Sequence, residues 1–231
     1  MKKYILALST FAGTTIGVGL FGLPYAAAQV GFVPMLIYFL ILGFIMLIIN
    51  LVLGEIALRT AGNHRLPGYA ELYLGKTAKM ISVISITVGL YIAMIAYVVI
   101  GGGFFASLMM PLFGGTELLY IMIFYITAIT IIFLGSKTIA KSELISLIIF
   151  FAVLFYLFMV SAPHIDITNF GTTNYSNIFL PYGVILFALA GTSIIPEIKE
   201  ILEGRGRILR NVIATGTFIP IITYIIFIFL I

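Results

Sequence analysis

Two clusters of glycine, threonine and serine, placed inside long apolar stretches, are the residues of this chain best suited to chemistry. The first, Gly13–Gly19, reads Gly-Thr-Thr-Ile-Gly-Val-Gly, and the second, Ala190–Ile194, reads Ala-Gly-Thr-Ser-Ile. Glycine costs about 1 kcal/mol relative to alanine inside a helix, and its missing side chain opens the backbone to a partner. Repeated glycines therefore predict helices that break and leave backbone groups free to bind a ligand.

A broken membrane helix can recognise charge without charged side chains. Amides at a helix N-terminus lack intrahelical partners and carry about half a positive charge, so a half-helix beginning near Gly17 would direct them at a carboxylate. The carbonyl ends of half-helices ending near Gly13 and Gly191 would suit an ammonium group or a small cation. A zwitterionic amino acid matches both ends. The predicted substrate-binding residues are Gly13, Thr14, Thr15, Gly17, Val18, Gly19, Phe187, Gly191, Thr192 and Ser193.

The composition excludes an ordinary soluble domain. Of 231 residues, 62% are hydrophobic and 9% are charged, whereas soluble domains are about 25% charged because their surface meets water. The chain has no cysteine, and no phosphate-binding loop, nucleophile with a paired base or metal-ligand spacing is present. We therefore expect a protein in a lipid bilayer that is not an enzyme, with no catalytic residue, metal, cofactor or nucleic-acid partner.

Seven apolar stretches divide the chain. Each approaches the roughly 20 residues that a helix needs to cross a hydrocarbon core of about 30 Å. The pattern predicts an all-α membrane protein with about seven transmembrane helices in one domain. The stretches run near Tyr4–Val30, Val33–Arg59, Met80–Met109, Leu118–Leu134, Leu144–Ser161, Ile178–Leu202 and Val212–Ile231.

Basic residues occur only in alternate loops, which predicts the orientation. The loops around Gly31, Pro111–Thr116 and Pro163–Asn177 contain no Lys or Arg. The positive-inside rule then places the N-terminus in the cytoplasm and the C-terminus outside. The basic residues of the other loops include Lys2, Lys3, Arg59, Arg65, Lys76, Lys79, Lys137, Lys141, Lys199, Arg205, Arg207 and Arg210.

Two alternatives concern the first stretch and the glycines. Lys2 and Lys3, an apolar run and Ala26–Ala28 could form a cleaved secretory signal, but the run is long and interrupted for a signal core. Small residues can also serve close helix packing. We favour packing for Gly101–Gly103 in the third stretch, and functional breaks for the first and sixth.

The two clusters echo each other. Phe11–Ile16 reads Phe-Ala-Gly-Thr-Thr-Ile, Leu189–Ile194 reads Leu-Ala-Gly-Thr-Ser-Ile, and both stand at a similar position within their stretch. The sixth stretch comes five stretches after the first, an odd number, so the two copies cross the membrane in opposite directions. This arrangement is expected of an inverted repeat whose paired broken helices form a substrate site at the midplane.

Glu55 and Glu197 are the ionisable residues near the cytoplasmic ends of stretches two and six. Ionisable groups within membrane segments are functional candidates by default, so we predict both as coupling residues. Interfacial anchoring beside Arg59 or Lys199 is the equally weighted alternative.

At these residues the chain resembles the aromatic amino-acid (tryptophan/tyrosine) permeases and the amino acid/auxin permeases, families of the amino acid–polyamine–organocation superfamily. The first-helix motif Gly13–Gly19, followed by Leu23–Ala26 and Gly31-Phe32, is similar to that of aromatic permeases. Glu55 and Gly191–Glu197 are similar to the corresponding regions of both families.

The resemblance implies a five-plus-five inverted-repeat transporter with substrate at the breaks of helices one and six. Residues 1–161 would form the first repeat and residues 178–231 the start of the second. It implies a plasma-membrane secondary permease for aromatic or neutral amino acids, coupled to Na⁺ or H⁺. Such permeases have ten or eleven helices, so either the chain is a truncated or split gene product or a second chain supplies the remaining helices. The alternative function is a truncated, non-transporting membrane subunit that needs a partner chain to complete the fold.

Overall fold

A computed structural model of the chain contains helices and no strand among the residues that it describes, which are 2–134, 136–164, 171 and 173–230. Side chains are described for these residues except 2, 136–144 and 164. The helices are α1 (Lys2–Thr15), α2 (Gly22–Val30), α3 (Phe32–Arg59), α4 (Leu66–Leu74), α5 (Lys76–Phe113), α6 (Glu117–Phe133), α7 (Ser136–Ser161), α8 (Leu180–Ala188), α9 (Ile195–Ile201) and α10 (Gly206–Leu230), and 3₁₀ turns at Val18–Phe21 and Thr192–Ile194 precede α2 and α9.

The predicted all-α membrane fold is confirmed. Within the described residues, α3, α5 and α10 are each long and apolar enough to cross a membrane. α1 and the 3₁₀ turn with α2 meet at a bend of 44°, and together they are long and apolar enough to count as a fourth span. The shorter apolar helices are α6 and residues 145–161 of α7, each 17 residues long or about 26 Å.

Three helix boundaries differ from the sequence prediction. The first half-helix does not end near Gly13 but continues to Thr15, because the amide of Ile16 still donates to the carbonyl of Ala12 at 2.8 Å. The half-helix α8 ends at Ala188, before Gly191. The last span begins at Gly206 instead of Val212, since arginine is a good helix former and lengthens the helix into the basic loop.

The two interrupted segments, α1–α2 and α8–α9, pack against α3 and α10, the continuous helices at the centre of the fold, and are called the two broken spans. One apolar cluster includes Leu23, Phe39 and Ile185, and a second includes Phe11 and Leu209. The close approach of α1 and α10 depends on Gly216, where an added Cβ would lie 2.5 Å from the Phe11 ring. These two clusters fix the positions of the half-helices on either side of each break.

The long helix α5 forms a hairpin with α6 beside this centre. At Gly102 an added Cβ would lie 2.9 Å from the Cα of Ile121, and at Gly101 it would lie 2.7 Å from the Phe124 ring. The predicted packing role of the glycine triplet is therefore confirmed at these two positions. Large apolar side chains remain exposed along α5, including Ile84, Ile95 and Leu108, as expected for a surface that meets lipid.

The loops of the fold meet in two groups. In the first group, Lys3 pairs with Glu203, Arg65 with Glu197 and Arg210 with Glu55. In the second, the backbone amide of Asn174 donates to the carbonyl of Val30, and the side-chain amide of Asn177 donates to the side-chain oxygen of Gln29. The first group contains the basic loops and the second lies between loops without Lys or Arg. The side chains of Lys2, Lys137 and Lys141 lie outside the described residues.

Candidate substrate site at the two helix breaks

The first break lies between α1 and the 3₁₀ turn at Val18–Phe21. Gly17 has an extended backbone, with φ −133° and ψ −155°, so the chain leaves the helical path there. The first hydrogen bond of the following turn runs from Leu20 to the carbonyl of Gly17 at 3.1 Å. The amides of Val18 and Gly19 precede that bond, which leaves them at the N-terminal end of the second half-helix. The prediction of a half-helix beginning near Gly17 is confirmed.

The second break, between α8 and α9, is a sequence of tight turns. The amide of Ala190 donates to Phe187 at 3.2 Å, and the amide of Gly191 donates to Leu189 at 2.9 Å. The 3₁₀ turn then closes with the bond from Ile194 to Gly191 at 3.2 Å. This break therefore contains compact turns, whereas the first contains an extended residue.

The two breaks are in direct contact. A Cβ added to Gly19 would lie 2.6 Å from the Cα of Ala188, and one added to Gly191 would lie 2.3 Å from Oγ1 of Thr15. Each break therefore has a glycine where the other span approaches. Glycine at both positions permits this close contact, which is against backbone at Gly19 and against a side chain at Gly191.

Tyr224 of α10 joins the C-terminal, carbonyl ends of α1 and α8, the half-helices that precede the two breaks. Its buried hydroxyl lies 2.8 Å from the carbonyl oxygen of Thr15 and 3.0 Å from that of Ala188. A hydroxyl has one proton, so the two carbonyls share this donor. The carbonyls that we expected to face an ammonium group or a cation thus already accept a hydrogen bond from the protein.

A cavity of about 600 Å³ opens beside the two breaks. Small-molecule sites commonly occupy about 300–1,000 Å³. Apolar residues of α3 and α5 complete the wall, among them Met46, Ile86 and Leu90. Asp, Glu, Lys and Arg are absent from the described lining residues. The predicted substrate residues that line this cavity are Thr14, Thr15, Gly17, Val18, Gly19, Phe187, Thr192 and Ser193.

The other two predicted residues have different positions. Gly13 lines a neighbouring cavity of about 320 Å³, and Gly191 is buried against Thr15. Tyr97 of α5 lines both cavities, and its hydroxyl lies so close to Gly17 that an added Cβ would overlap it at 1.9 Å. Tyr97 therefore stands at the first break, between the two cavities.

Comparison with known protein families matches residues 1–231 to the tryptophan/tyrosine permease family. The chain belongs to this family. It is also similar to "Tyrosine-specific transport system 1" of Haemophilus influenzae, with 24% identity over 229 residues. That match covers 97% of this chain and 56% of the relative, so the chain spans about half the length of the curated relative. No solved structure matches the chain.

Family membership confirms the aromatic-permease part of the resemblance read from the first-span motif. The permease-family chain also contains polar residues at the site that the sequence reasoning missed. Asn50, 1% exposed, accepts a hydrogen bond from Thr192 at 2.9 Å and donates to Thr217 at 3.3 Å. A signal for Asn50 was present, since it is a lone amide inside an apolar stretch. Tyr224 gave no such signal, because tyrosines occur in several spans of this permease-family sequence.

The predicted coupling carboxylates lie away from the cavity of the permease-family chain. Glu55 is held between Arg59 and Arg210, each at 2.7 Å. Glu197 pairs with Arg65 at 3.4 Å. Both belong to the face where the basic loops meet. Within the described residues, no group of three His, Asp or Glu side chains could hold a metal ion.

The two broken spans of this permease-family chain are also joined at the face where the basic loops meet. Lys3, at the start of α1, pairs with Glu203, which follows α9. The ammonium of Lys3 holds the pKa of the Glu203 carboxyl below its usual range. Both side chains are more than half exposed, so the pair contributes little to stability.

Proposed function

We propose that this permease-family chain binds an aromatic amino acid, with tyrosine as the first candidate, as the substrate-binding part of a secondary transporter. The observation that carries the proposal is the uncharged cavity lined by both helix breaks. Family membership supports an amino-acid substrate, and the name of the Haemophilus relative supports tyrosine.

The break in the first span supplies the group that would bind the substrate carboxylate. The amides of Val18 and Gly19 lie at the N-terminal end of a half-helix, where they favour an anion. Both residues line the cavity, and no acidic side chain among the described lining residues opposes an anion there. The apolar wall at Phe187, Ile86 and Leu90 would bury the aromatic ring.

Membrane orientation and ion coupling are parts of the same proposal. We infer that the face with the basic loops is cytoplasmic, following the positive-inside rule, in the plasma membrane. The N-terminus is then inside and the C-terminus outside. Na⁺ or H⁺ is the proposed coupling ion, with Glu55 and Glu197 as candidate residues, and coupling through either would require its arginine pairs to open.

Equilibrium binding to the purified chain in lipid nanodiscs tests the substrate. We expect saturable binding of radiolabelled tyrosine. Unlabelled tryptophan and phenylalanine should displace the labelled tyrosine, whereas lysine and glutamate should not. Gly17→Ala places a methyl against Tyr97, and overpacking of about 1–3 kcal/mol should weaken binding about tenfold. Gly183→Ala is the matched control, because nothing lies within 4 Å of an added Cβ there. A folded chain without saturable binding of any aromatic amino acid would contradict the proposal.

Uptake into proteoliposomes with an imposed H⁺ or Na⁺ gradient separates the transporter from its alternative. Gradient-driven uptake would establish transport by this chain alone. Binding without uptake would support the alternative, a non-transporting membrane subunit that needs a second chain. The family match does not favour that alternative. The organisation of residues 1–231 as a single domain with an inverted repeat stays a prediction.

A further inference from the structure

A buried line of hydrogen bonds connects the cavity wall to the middle of α10. Thr192 Oγ1 lies 2.9 Å from Asn50 Oδ1, and Asn50 Nδ2 lies 3.3 Å from Thr217 Oγ1. Thr217 Oγ1 in turn lies 2.8 Å from the carbonyl oxygen of Ile213. Asn50 and Thr217 are 1% and 3% exposed, so bulk solvent does not reach these two side chains.

The direction of each hydrogen bond in this line follows from the last acceptor, the carbonyl of Ile213 in α10. The carbonyl of Ile213 can only accept, so the Thr217 hydroxyl donates its single proton to that carbonyl. Thr217 then faces Asn50 as an acceptor, which requires the amide nitrogen of Asn50 on that side. The amide oxygen of Asn50 must therefore face Thr192, and it accepts the only hydroxyl proton of Thr192.

The consequence appears at the cavity, which Thr192 lines. With its proton committed to Asn50, the Thr192 hydroxyl can offer only lone pairs to a ligand. Two backbone acceptors at the breaks, the carbonyls of Thr15 and Ala188, receive the Tyr224 hydroxyl. The hydroxyl of Thr15 donates to the carbonyl of Phe11 at 2.9 Å and is buried against Gly191.

We propose that Asn50 is a positioning residue that makes Thr192 an obligate hydrogen-bond acceptor, and that Thr192 thereby selects ligands with an amino group. The inference deepens the proposed function and rests on it. The amino group of tyrosine satisfies the Thr192 lone pair, whereas an analogue without that group leaves the oxygen desolvated and unpaired.

The test compares two ligands on the purified full chain in nanodiscs. The ligands are tyrosine and 3-(4-hydroxyphenyl)propionate, which keeps the ring and the carboxylate and lacks the amino group. Thr192→Val keeps the shape of the side chain and removes the hydroxyl. Since a hydrogen bond to a charged group is among the stronger ones, we expect tyrosine binding to weaken about tenfold and analogue binding to stay within about twofold.

Two further variants test the role of Asn50. Thr192→Ser restores the hydroxyl and should restore the preference for tyrosine. Thr217→Val does not touch the cavity but removes the acceptor that orients Asn50, so the amide can rotate and the preference should fall by a smaller factor. Should Thr192→Val fail to fold, the Thr217→Val variant still measures the loss of preference.

The outcomes are distinguishable. If wild-type chain binds tyrosine and Thr192→Val weakens both ligands by the same factor, Thr192 is merely structural and the inference is overturned while the proposed function stands. An unchanged preference in Thr217→Val would overturn the role of Asn50. If the folded wild-type chain does not bind tyrosine, the proposed function fails and the inference fails with it.

Discussion

The two broken spans carry nearly the same motif, yet the motif precedes the break in one span and lies within it in the other. Ala12–Ile16 reads Ala-Gly-Thr-Thr-Ile, and Ala190–Ile194 reads Ala-Gly-Thr-Ser-Ile. In the first span the motif forms the last turn of α1, and the break follows at Gly17. In the sixth span α8 ends at Ala188 and α9 begins at Ile195, so the motif lies within the break and forms the turns that lead into α9.

The difference shows what such a motif determines. Gly13 stays helical because its neighbours make the i→i−4 hydrogen bonds, including that from Ile16 to Ala12. Gly191 lies outside a helix, covered by the side chain of Thr15. The same residues therefore serve as the end of one half-helix and as the beginning of another. A glycine motif predicts that a break is near, and contacts with the other span decide its place.

The first prediction breaks the contact between the spans. Gly19→Ala would place a methyl 2.6 Å from the Cα of Ala188, and backbone atoms cannot move aside as a side-chain end can. We expect the largest loss of stability, about 3 kcal/mol, measured as a lower melting temperature of the purified chain. Gly183→Ala, which adds a methyl in open space on α8, is the control. Equal melting temperatures for the two variants would show that the breaks are not packed in this way.

The second prediction tests the link that both breaks share. Tyr224→Phe leaves the carbonyls of Thr15 and Ala188 without their common donor, at a cost of about 2 kcal/mol. Hydrogen exchange should increase at residues 16–19 and 189–192 together.

Tyr120→Phe is the matched control for that variant, since Tyr120 donates to the single carbonyl of Gly114 at 2.6 Å, away from both breaks. It should not increase exchange at either break. An increase at one break alone in Tyr224→Phe would mean that the hydroxyl serves one span only.

The third prediction sharpens the comparison at the echoed motif. Gly191→Ala would place a methyl 2.3 Å from Thr15 Oγ1, an atom at the end of a side chain that can shift, so we expect a loss of about 1 kcal/mol. Thr15→Ala removes that atom, and the double variant should be more stable than the sum of the single losses predicts. Thermal unfolding of the four chains measures the coupling, and additive losses would contradict the contact.

Much of the fold was predictable from apolar periodicity and length. The helices that span residues 32–59 and 76–113 follow from uninterrupted apolar stretches, because lipid leaves backbone groups no partner except their own helix. Boundaries at polar ends were less predictable. The sequence prediction began the last span at Val212, whereas α10 begins at Gly206, since nothing local stops a helix at an arginine.

The candidate site was predictable in its location and less so in its chemistry. Most predicted substrate residues line one cavity, because the two breaks that contain them are in direct contact. The assignment of the half-helix carbonyls to an ammonium group did not foresee Tyr224, which already donates to them. Tyr224 and Thr15 are 209 residues apart in the sequence, and no local sequence pattern predicts such a distant contact.

The sequence by itself determined that this protein is a helical membrane protein, that its first and sixth spans are interrupted and that it resembles the aromatic permeases. Those conclusions depend on local properties, namely hydrophobicity, helix propensity and motif spelling. Only the tertiary structure decided where each break falls, which carbonyls are already satisfied and which way the Asn50 amide points. Those features depend on contacts between residues far apart in the chain, where one proton or one methyl group settles which arrangement is stable.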